Sequence, residues 1–286
     1  MWNLPSATGA TAGPDRLTPS DAVAWRDLAV TVATAGAARV RARAGAADLR
    51  VDTKSSATDP VTEVDREVEA MVVDALLRAR PDDGLLGEEG ASRPGTSGVR
   101  WLIDPIDGTV NFLYGIPGCN VSVAAEHDGR IVAAAVVDPL HDDVFAAARG
   151  HGATRNGAPI TASAATDPAH SLVGTGFGYD PDRRRRQAEV LTRVITQVRD
   201  VRRVGAAAVD LCWVGCGRLD GYWEKGLQAW DWAAGSLVAE EAGATVGTSG
   251  DTPLPDVLPD ACIVAAAPGL YEPLRRIVTA AGAADA

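Results

Sequence analysis

Cysteine and histidine are scarce in this 286-residue sequence, which has four of each. Cys212 and Cys216 are spaced to share one face of a helix, but no second Cys or His pair lies near them to complete a zinc site. The histidines are scattered without metal-ligand spacing, and neither a Ser–His nor a Cys–His pair is apparent. We therefore expect buried, reduced thiols and no nucleophilic dyad.

The chain also lacks a net positive charge and long apolar runs. The formal net charge of −11 argues against a partner with a phosphate backbone, because nucleic-acid-binding proteins usually carry a basic surface. The only dense basic run, Arg183 to Arg186, follows Asp180-Pro181-Asp182 and is expected to open a solvated helix. No segment is long and apolar enough to span a membrane, and the N-terminus does not read as a signal peptide. We expect a soluble, cytoplasmic protein.

Hydrophobic residues make up 46% of the chain, which is ample for a sizeable core. Residues 1–18, rich in Gly, Ala, Thr and Pro, are predicted to be a disordered leader. Apolar residues at helical spacing, with capping residues and helix-ending Pro or Gly, predict further elements. The predicted helices cover residues 21–44, 61–80, 187–198, 206–215 and 230–242.

Short apolar runs predict the strands. Residues 121–126, 131–138 and 143–147 are separated by Asp-Gly and Asp-Pro pairs and are predicted to form an antiparallel meander. Further strands are predicted at residues 84–86, 99–103, 172–176 and 220–224. Because the strands are grouped between helices without a regular βαβ rhythm, a layered α+β fold is favoured over a doubly wound sheet.

The segment from Trp101 to Phe112 is the most informative stretch of the chain. A hydrophobic run leads into Asp104-Pro-Ile-Asp107-Gly108-Thr109. Two ionised carboxylates close together repel each other unless a cation lies between them. Oxygen-rich clusters of this kind suit Mg²⁺, which is commonly held by a few carboxylates and a substrate phosphate. Backbone amides at the following helix start could bind phosphate, so the segment predicts a magnesium-dependent phosphatase.

Three other acidic sites have both structural and functional interpretations. Asp65 follows Thr62, and these residues could simply cap and begin the second helix. The Gly-Glu88-Glu89-Gly turn, taken alone, is typical of a protein surface. Asp231 lies in the first turn of an Ala- and Gly-rich helix, where a capping role is plausible but leaves the small-residue face unexplained. A further acid, Glu224, ends a predicted strand.

Taken together, these runs resemble the inositol monophosphatase family, which belongs to the lithium-sensitive, magnesium-dependent phosphatases. The resemblance covers roughly residues 20–280 and also includes the 54–62, 172–179 and 202–211 runs, which look most like its bacterial, particularly actinobacterial, inositol-1-monophosphatase branch. It implies a layered αβαβα sandwich over residues 19–286. The metal-binding half would reach to about residue 150, with an α/β half beyond it. A homodimer is also implied.

The resemblance assigns roles residue by residue. Two to three Mg²⁺ ions would be held by Glu88, Asp104, the Ile106 carbonyl, Asp107 and Asp231. The nucleophilic water would lie beside Asp65 and Thr109, with Glu88 counted among the catalytic groups. Phosphate and substrate hydroxyls would be bound by Asp107, the amides of Gly108 and Thr109, and by Ala208, Arg202, Glu224 and Asp231. Lys54 and Asp59 would belong to a mobile loop. Ala206 stands where the family often has Ser or Thr.

The implied reaction is direct attack by activated water on a phosphate monoester, with inositol 1-phosphate favoured because Glu224 suits substrate hydroxyls. Histidinol phosphate, fructose bisphosphate and phosphoadenosine phosphate remain open, because relatives with the same ligands hydrolyse them. A binding protein that acts through RNA or protein contacts is an alternative of another class. The acidic charge disfavours RNA, and the complete set of ligand residues favours an enzyme.

Overall fold

The computed structural model describes residues 19–54, 60–250 and 261–286. The predicted leader and Asp59 lie outside the described residues. Within the described ranges the chain forms a layered α+β structure with two large sheets and seven α-helices. No helix in these ranges combines the length and the apolar character needed to cross a membrane.

The outer helical layer comes from the N-terminal part of the chain. Helix α1 (Pro19–Arg43) packs on α2 (Glu63–Ala79), and both lie against one face of the first sheet. The small strands β1 (Val51–Thr53) and β2 (Pro60–Thr62) pair in front of α2. The second helix therefore begins two residues later than predicted, because Pro60–Thr62 is extended and Thr62 caps the helix.

The first sheet has eight strands and contains the predicted meander. Its strands are β3 (Gly84–Gly87), β4 (Ser92–Arg93), β5 (Val99–Asp107), β6 (Asn120–His127), β7 (Arg130–Asp138), β8 (Asp143–Ala148), β9 (Ala153–Arg155) and β10 (Ala158–Pro159). Their order is β10-β9-β8-β7-β6-β5-β3-β4, and all neighbours are antiparallel except β3 and β5, which are parallel. The short helix α3 (Thr109–Tyr114) follows β5.

The second sheet follows a 3₁₀ turn at Pro168–His170 and has five strands: β11 (Leu172–Thr175), β12 (Asp200–Arg202), β13 (Gly221–Lys225), β14 (Thr245–Thr248) and β15 (Cys262–Ala266). Their order in the sheet is β12-β11-β13-β15-β14. The associated helices are α4 (Pro181–Val194), α5 (Ala207–Gly215), α6 (Ala229–Glu241) and α7 (Tyr271–Ala280). Elements β12, β14, β15 and α7 were not predicted from the sequence.

Helices α5 and α6 pack together between the two sheets, where Leu211, Tyr222 and Leu237 are fully buried. Helices α4 and α7 cover the other face of the second sheet. The layers thus alternate helix, sheet, helix, sheet, helix, and the predicted sandwich is confirmed. The proposed division near residue 150 stays a prediction.

Two further elements have bounds that differ from the prediction. The helix predicted at residues 187–198 runs from Pro181 to Val194, because the Asp180 side chain accepts a hydrogen bond from the Arg183 amide and Pro181 occupies the first turn. The strand predicted at residues 99–103 continues to Asp107, because its second part still pairs with β6. All four cysteines are free thiols, and three of them are buried.

Candidate active site

An irregularity in β5 brings its two carboxylates to one side. Asp104 pairs with Ser122 and Asp107 with Asn120 on β6, and the register shifts between them. Residues three apart in a regular strand point to opposite faces, so a regular β5 would separate these side chains. The shift, at the Pro105-Ile106 step, lets both carboxylates line one cavity.

The turn after β5 depends on glycine. Gly108 has φ 87°, and a Cβ at this position would lie 2.8 Å from the Gly118 carbonyl oxygen. Its tight turn leads directly into α3, so that Thr109 begins the helix beside the two aspartates. This placement follows the sequence prediction of a helix start at Gly108-Thr109.

Asp65 caps the second helix and also contacts Thr109, which lines the cavity. Its Oδ2 accepts hydrogen bonds from the Thr62 amide at 2.9 Å and the Thr62 hydroxyl at 2.5 Å, which completes a capping box. Its Oδ1 lies 3.3 Å from the Thr109 hydroxyl, which is also 3.1 Å from the Ile106 carbonyl oxygen. Burial raises the pKa of Asp65, against the opposing effect of the hydrogen bonds from Thr62. The structure therefore confirms the capping interpretation of this segment, whereas the catalytic role of Asp65 stays a prediction.

Glu88 reaches the site because β3 runs parallel to β5. Its amide donates to the Ile103 carbonyl oxygen at 3.1 Å, directly before Asp104. The turn that follows is held by Glu69 of α2, whose carboxylate accepts from the amides of Glu89 at 2.8 Å and Ala91 at 2.9 Å. Glu69 was not identified from the sequence, where it is one more polar residue of an amphipathic helix.

Lys54 makes an ion pair with Glu88, with 2.8 Å between Nζ and Oε1, and a second one with Glu89. Burial disfavours the charged ammonium group, but the two carboxylates outweigh it and raise the pKa of Lys54. The residue therefore stays cationic at the edge of the acidic cluster.

Asp231 projects from the first turn of α6. Its Oδ2 accepts a hydrogen bond from the Gln228 amide at 2.7 Å, so it closes the helix cap as predicted. The small-residue face of α6 is used for close packing on α5. A Cβ at Gly235 would lie 2.7 Å from the Ala208 carbonyl oxygen. This close approach of two helices brings Asp231 over the end of β5.

The carboxylates of Glu88, Asp104, Asp107 and Asp231 line one cavity of about 470 Å³. Burial and then the charges of its three neighbours raise the pKa of Asp104 well above its usual range. Burial and then Asp107 and Glu88 do the same for Asp231. The pKa of Asp107 rises to about 6, mainly by burial and against hydrogen bonds from Asn120 and Ala208.

These donors fit a hard divalent cation. The cluster consists of carboxylate oxygens whose negative charges repel one another. In each of Asp104, Asp107 and Asp231, one carboxylate oxygen accepts a hydrogen bond from a backbone amide, and the other oxygen remains available as a metal ligand. Among the described residues no three His, Cys, Asp or Glu side chains are already drawn close enough to hold an ion. The fit therefore rests on the donor types, their burial and their mutual repulsion.

Glu224, the last residue but one of β13, lines another part of the same cavity. Its Oε2 accepts a hydrogen bond from the Tyr222 hydroxyl, and its carboxylate fills the space over Gly176, where a Cβ would lie 1.9 Å from Oε2. Burial raises the pKa of Glu224 to about 7, although Tyr222 and Arg203 oppose this shift. The predicted hydroxyl acceptor is thus placed in the cavity with one oxygen already engaged.

Two predicted substrate contacts are placed elsewhere. Arg202 is exposed and pairs with Asp200 at 2.6 Å, whereas the next residue, Arg203, lines the cavity. The Ala208 amide donates to Asp107 Oδ2 at 2.8 Å, and Ala207 is the alanine at the cavity wall. Arg202 ends a strand, and neighbouring side chains of extended chain point to opposite faces, so a shift of one residue exchanges Arg202 for Arg203. Ala206 is buried beside the Gly108 turn.

The basic run from Arg183 to Arg186 agrees only partly with the predicted solvated helix. Arg184, Arg185 and Arg186 are exposed on α4, as predicted for a solvated helix. Arg183 and Arg186, three residues apart, nevertheless line the cavity, together with Arg203. The sequence signal that could have identified them is their spacing on one helix face next to the capped start of α4.

Comparison with known proteins agrees with this geometry. A family model described as the inositol monophosphatase family matches residues 21–283. The chain belongs to the inositol monophosphatase family. An inositol-1-monophosphatase, SuhB, of Mycobacterium tuberculosis is 45% identical over 267 residues, covering 87% of this chain and 91% of that protein. A Pseudomonas aeruginosa relative called Nus factor SuhB is 40% identical over 199 residues, covering 68% of this chain and 73% of the relative.

Solved structures of inositol monophosphatase relatives share the fold. The SuhB protein of Bartonella henselae superposes with a TM-score of 0.84 at 35% identity, covering 89% of this chain and 98% of its own. The structure of Mycobacterium tuberculosis SuhB gives a TM-score of 0.78 at 41% identity, covering 92% and 98%. Members of the family generally depend on metal ions, which agrees with the acidic cluster.

Proposed function

We propose that this protein hydrolyses inositol 1-phosphate to inositol and inorganic phosphate in a Mg²⁺-dependent reaction. The observation that carries the proposal is the meeting of four carboxylates from three separate elements beside the buried Asp65–Thr109 pair. The names of the 45% identical mycobacterial relatives support inositol 1-phosphate as the substrate.

The ligands of two to three Mg²⁺ ions would be Glu88, Asp104, the Ile106 carbonyl, Asp107 and Asp231. When bound, the metal would supply an activated water and stabilise the departing ester oxygen. Without a cation, burial and mutual repulsion raise the pKa values of Asp104 and Asp231 and favour their protonated forms, so metal binding would displace protons from the site.

Thr109 and Asp65 would position the attacking water and take its proton. When the Thr109 hydroxyl donates to Asp65 Oδ1, its lone pair is available to a water molecule. The raised pKa of Asp65 makes this buried carboxylate a stronger base than an exposed one. The described thiols offer no competing nucleophile, since burial raises the pKa of Cys119 to about 12 and also raises that of Cys212.

The phosphate would be bound by the backbone amides of Gly108 and Thr109, and the inositol ring by Glu224. Because Tyr222 occupies Oε2, the remaining oxygen Oε1 is the acceptor for a ring hydroxyl. Ala207 and Arg203 line the same wall, and the latter lowers the pKa of Glu224 by its charge. These residues would give the ring polar contacts within the cavity that the acidic cluster also lines.

Phosphate release from inositol 1-phosphate with and without Mg²⁺ tests the proposal. Asp231→Asn should lower turnover by roughly 10³-fold, since metal catalysis supplies several kcal/mol. Asp180→Asn is the matched control, because Asp180 also lines the cavity but caps α4, and Asn caps equally well. Metal-independent activity, or equal losses in both variants, would contradict the proposal.

The arginines of α4 favour a second candidate substrate class, the bisphosphates. Arg183, Arg186 and Arg203 line the cavity with Glu224, where a second phosphate could be bound. Fructose 1,6-bisphosphate and fructose 1-phosphate differ only in that group. The ratio of their kcat/KM values should fall in Arg186→Gln and stay unchanged in Arg185→Gln, a neighbour that pairs with Asp182 and does not line the cavity. A wild-type ratio near one would remove this candidate.

A homodimer, a cytoplasmic location and lithium sensitivity remain proposals. The dimer is supported by Tyr114 and Ile116, which are 77% and 52% exposed beside a groove lined by Leu113 and Phe177. A role in transcription is suggested by the name of the Pseudomonas relative, but the net charge of −11 disfavours direct RNA binding.

A further inference from the structure

A second cavity of about 370 Å³ lies at the opposite end of β5 from the acidic cluster. It is bounded by the start of β5, the β6–β7 turn and α6. Leu102, Ile131, Trp232 and Leu237 supply apolar walls. Its volume falls within the range of small-molecule sites, which combine apolar walls with a few polar groups. Nothing in the proposed reaction uses this space.

A buried hydroxyl in this cavity has no hydrogen-bond partner. Ser236 of α6 is 3% exposed and lines the cavity, and its Oγ makes no hydrogen bond. A hydroxyl in this position costs free energy unless a polar atom approaches it, and buried polar groups in folded proteins are seldom left unpaired. The orphan hydroxyl therefore indicates that a polar atom of a ligand or an ordered water belongs beside it.

The rim of the cavity carries an excess positive charge. Arg100 pairs with Glu126 at 2.7 Å, and Arg149 pairs with Glu240 at 2.6 Å. The third arginine, Arg130, is exposed and forms no ion pair with any residue that the structure describes. Three arginines against two glutamates leave a net charge of +1. A site with apolar walls and one unmatched cation is complementary to a single negative charge.

We propose that this cavity is a binding site for a small monoanion with an apolar ring or chain. The apolar part would lie against Trp232 and Leu237, the anionic group would face Arg130, and a polar atom would reach the Ser236 hydroxyl. The first turn of α6 separates the two cavities. Its Ala229 and Trp232 line the second one, whereas Trp230 and Asp231 line the first. The two ligands would therefore bind without competing.

The monoanionic fluorophore 8-anilinonaphthalene-1-sulfonate provides the test, titrated into the full-length protein. We expect saturable binding of one molecule per chain, unaffected by saturating inorganic phosphate with Mg²⁺. Ser236→Leu fills the cavity and removes the hydroxyl, and should weaken binding by about tenfold or more. Arg130→Glu, an exposed change that leaves the core intact, should weaken it by roughly five- to tenfold.

Tyr114→Ser is the control for binding to the exposed apolar patch, which also attracts such probes. It should leave the dissociation constant unchanged. The proposal is overturned by an absence of saturable binding, by displacement with phosphate, by loss of binding in Tyr114→Ser, or by unchanged binding in Arg130→Glu. None of these outcomes bears on phosphate release, so the proposed function is tested separately.

Discussion

Glu224→Gln should separate substrate recognition from chemistry. The exchange preserves the size of the side chain and its contact with Tyr222, while it removes the negative charge. The proposed metal ligands on β5 and α6 are untouched. We therefore expect hydrolysis of inositol 1-phosphate to suffer far more than hydrolysis of 4-nitrophenyl phosphate, whose aryl group has no hydroxyl for this residue to bind.

The size of the effect follows from the number of free acceptor atoms. Oε2 is engaged by Tyr222 and the carboxylate is packed over Gly176, so a single oxygen, Oε1, remains for the substrate. Loss of one hydrogen bond to a charged acceptor costs about 1.5–3 kcal/mol, or roughly 10- to 150-fold in kcat/KM. A loss far above this range would mean that more than one contact depends on the charge.

The pH dependence of the kcat/KM ratio for the two substrates tests the role of Glu224 independently. Burial raises the pKa of Glu224 to about 7, so protonation should remove the charged acceptor as the pH falls through this value. The ratio of kcat/KM for inositol 1-phosphate to that for the aryl ester should therefore decline on the acid side in the wild type and stay flat in Glu224→Gln. Bound Mg²⁺ favours the carboxylate, so a higher Mg²⁺ concentration should move the decline to lower pH.

Steady-state kinetics on both substrates across pH 5.5–8.5 would measure these effects. Equal losses on the two substrates would assign Glu224 to the metal site or to the fold instead. No loss on either would leave the preference for inositol without a residue to explain it. A ratio that declines with the same pH profile in the variant would refute the assignment of that titration to Glu224.

Asp104→Asn should abolish Mg²⁺-dependent turnover, and full activity would refute the ligand assignment. In the presence of a chelator its melting temperature should equal or exceed that of the wild type, because the exchange removes a buried carboxylate that its neighbours repel. In the presence of a chelator, the wild-type protein should lose stability as the pH rises from about 4 to about 6. The reason is that folding raises the pKa of Asp107 from 3.8 to about 6, so the folded state binds the Asp107 proton more tightly than the unfolded state does. Scanning fluorimetry checks this, and a stability that rises with pH over this window would contradict it. Thr109→Ala should reduce kcat by about 10²-fold or more with little change in KM, and an unchanged kcat would exclude it from proton transfer. Gly176→Ala should displace Glu224 and reproduce the selective loss of inositol phosphate hydrolysis, with the aryl ester as the internal control.

Local signals were sufficient for much of this protein. Helical periodicity predicted α1, α2, α5 and α6, and the Asp-Gly and Asp-Pro pairs predicted the meander. These features depend on neighbours within a few residues, which a single sequence contains. The capping role of Thr62 and Asp65 was likewise visible as a local spacing, and the structure confirms it.

The strands β14 and β15 were missed for a definite reason. Their sequences lack the alternation of a half-buried strand, and β15 is buried along its whole length. A short apolar run of that kind does not by itself distinguish a buried strand from part of a helix. Only its pairing with β13 and β14 identifies it.

The sequence alone determined the acidic composition of the site. Carboxylates at the ends of strands and helices contribute nothing to a hydrophobic core, so their presence there indicates a functional site. Tertiary structure alone decided which of them share a cavity. The register shift in β5 brings Asp104 and Asp107 to one side, and Glu69 of α2 tethers the turn after Glu88. Whether Arg202 or Arg203 faces the cavity also depended on the orientation of one extended segment. Such choices depend on contacts between residues far apart in the chain, which local propensity does not encode.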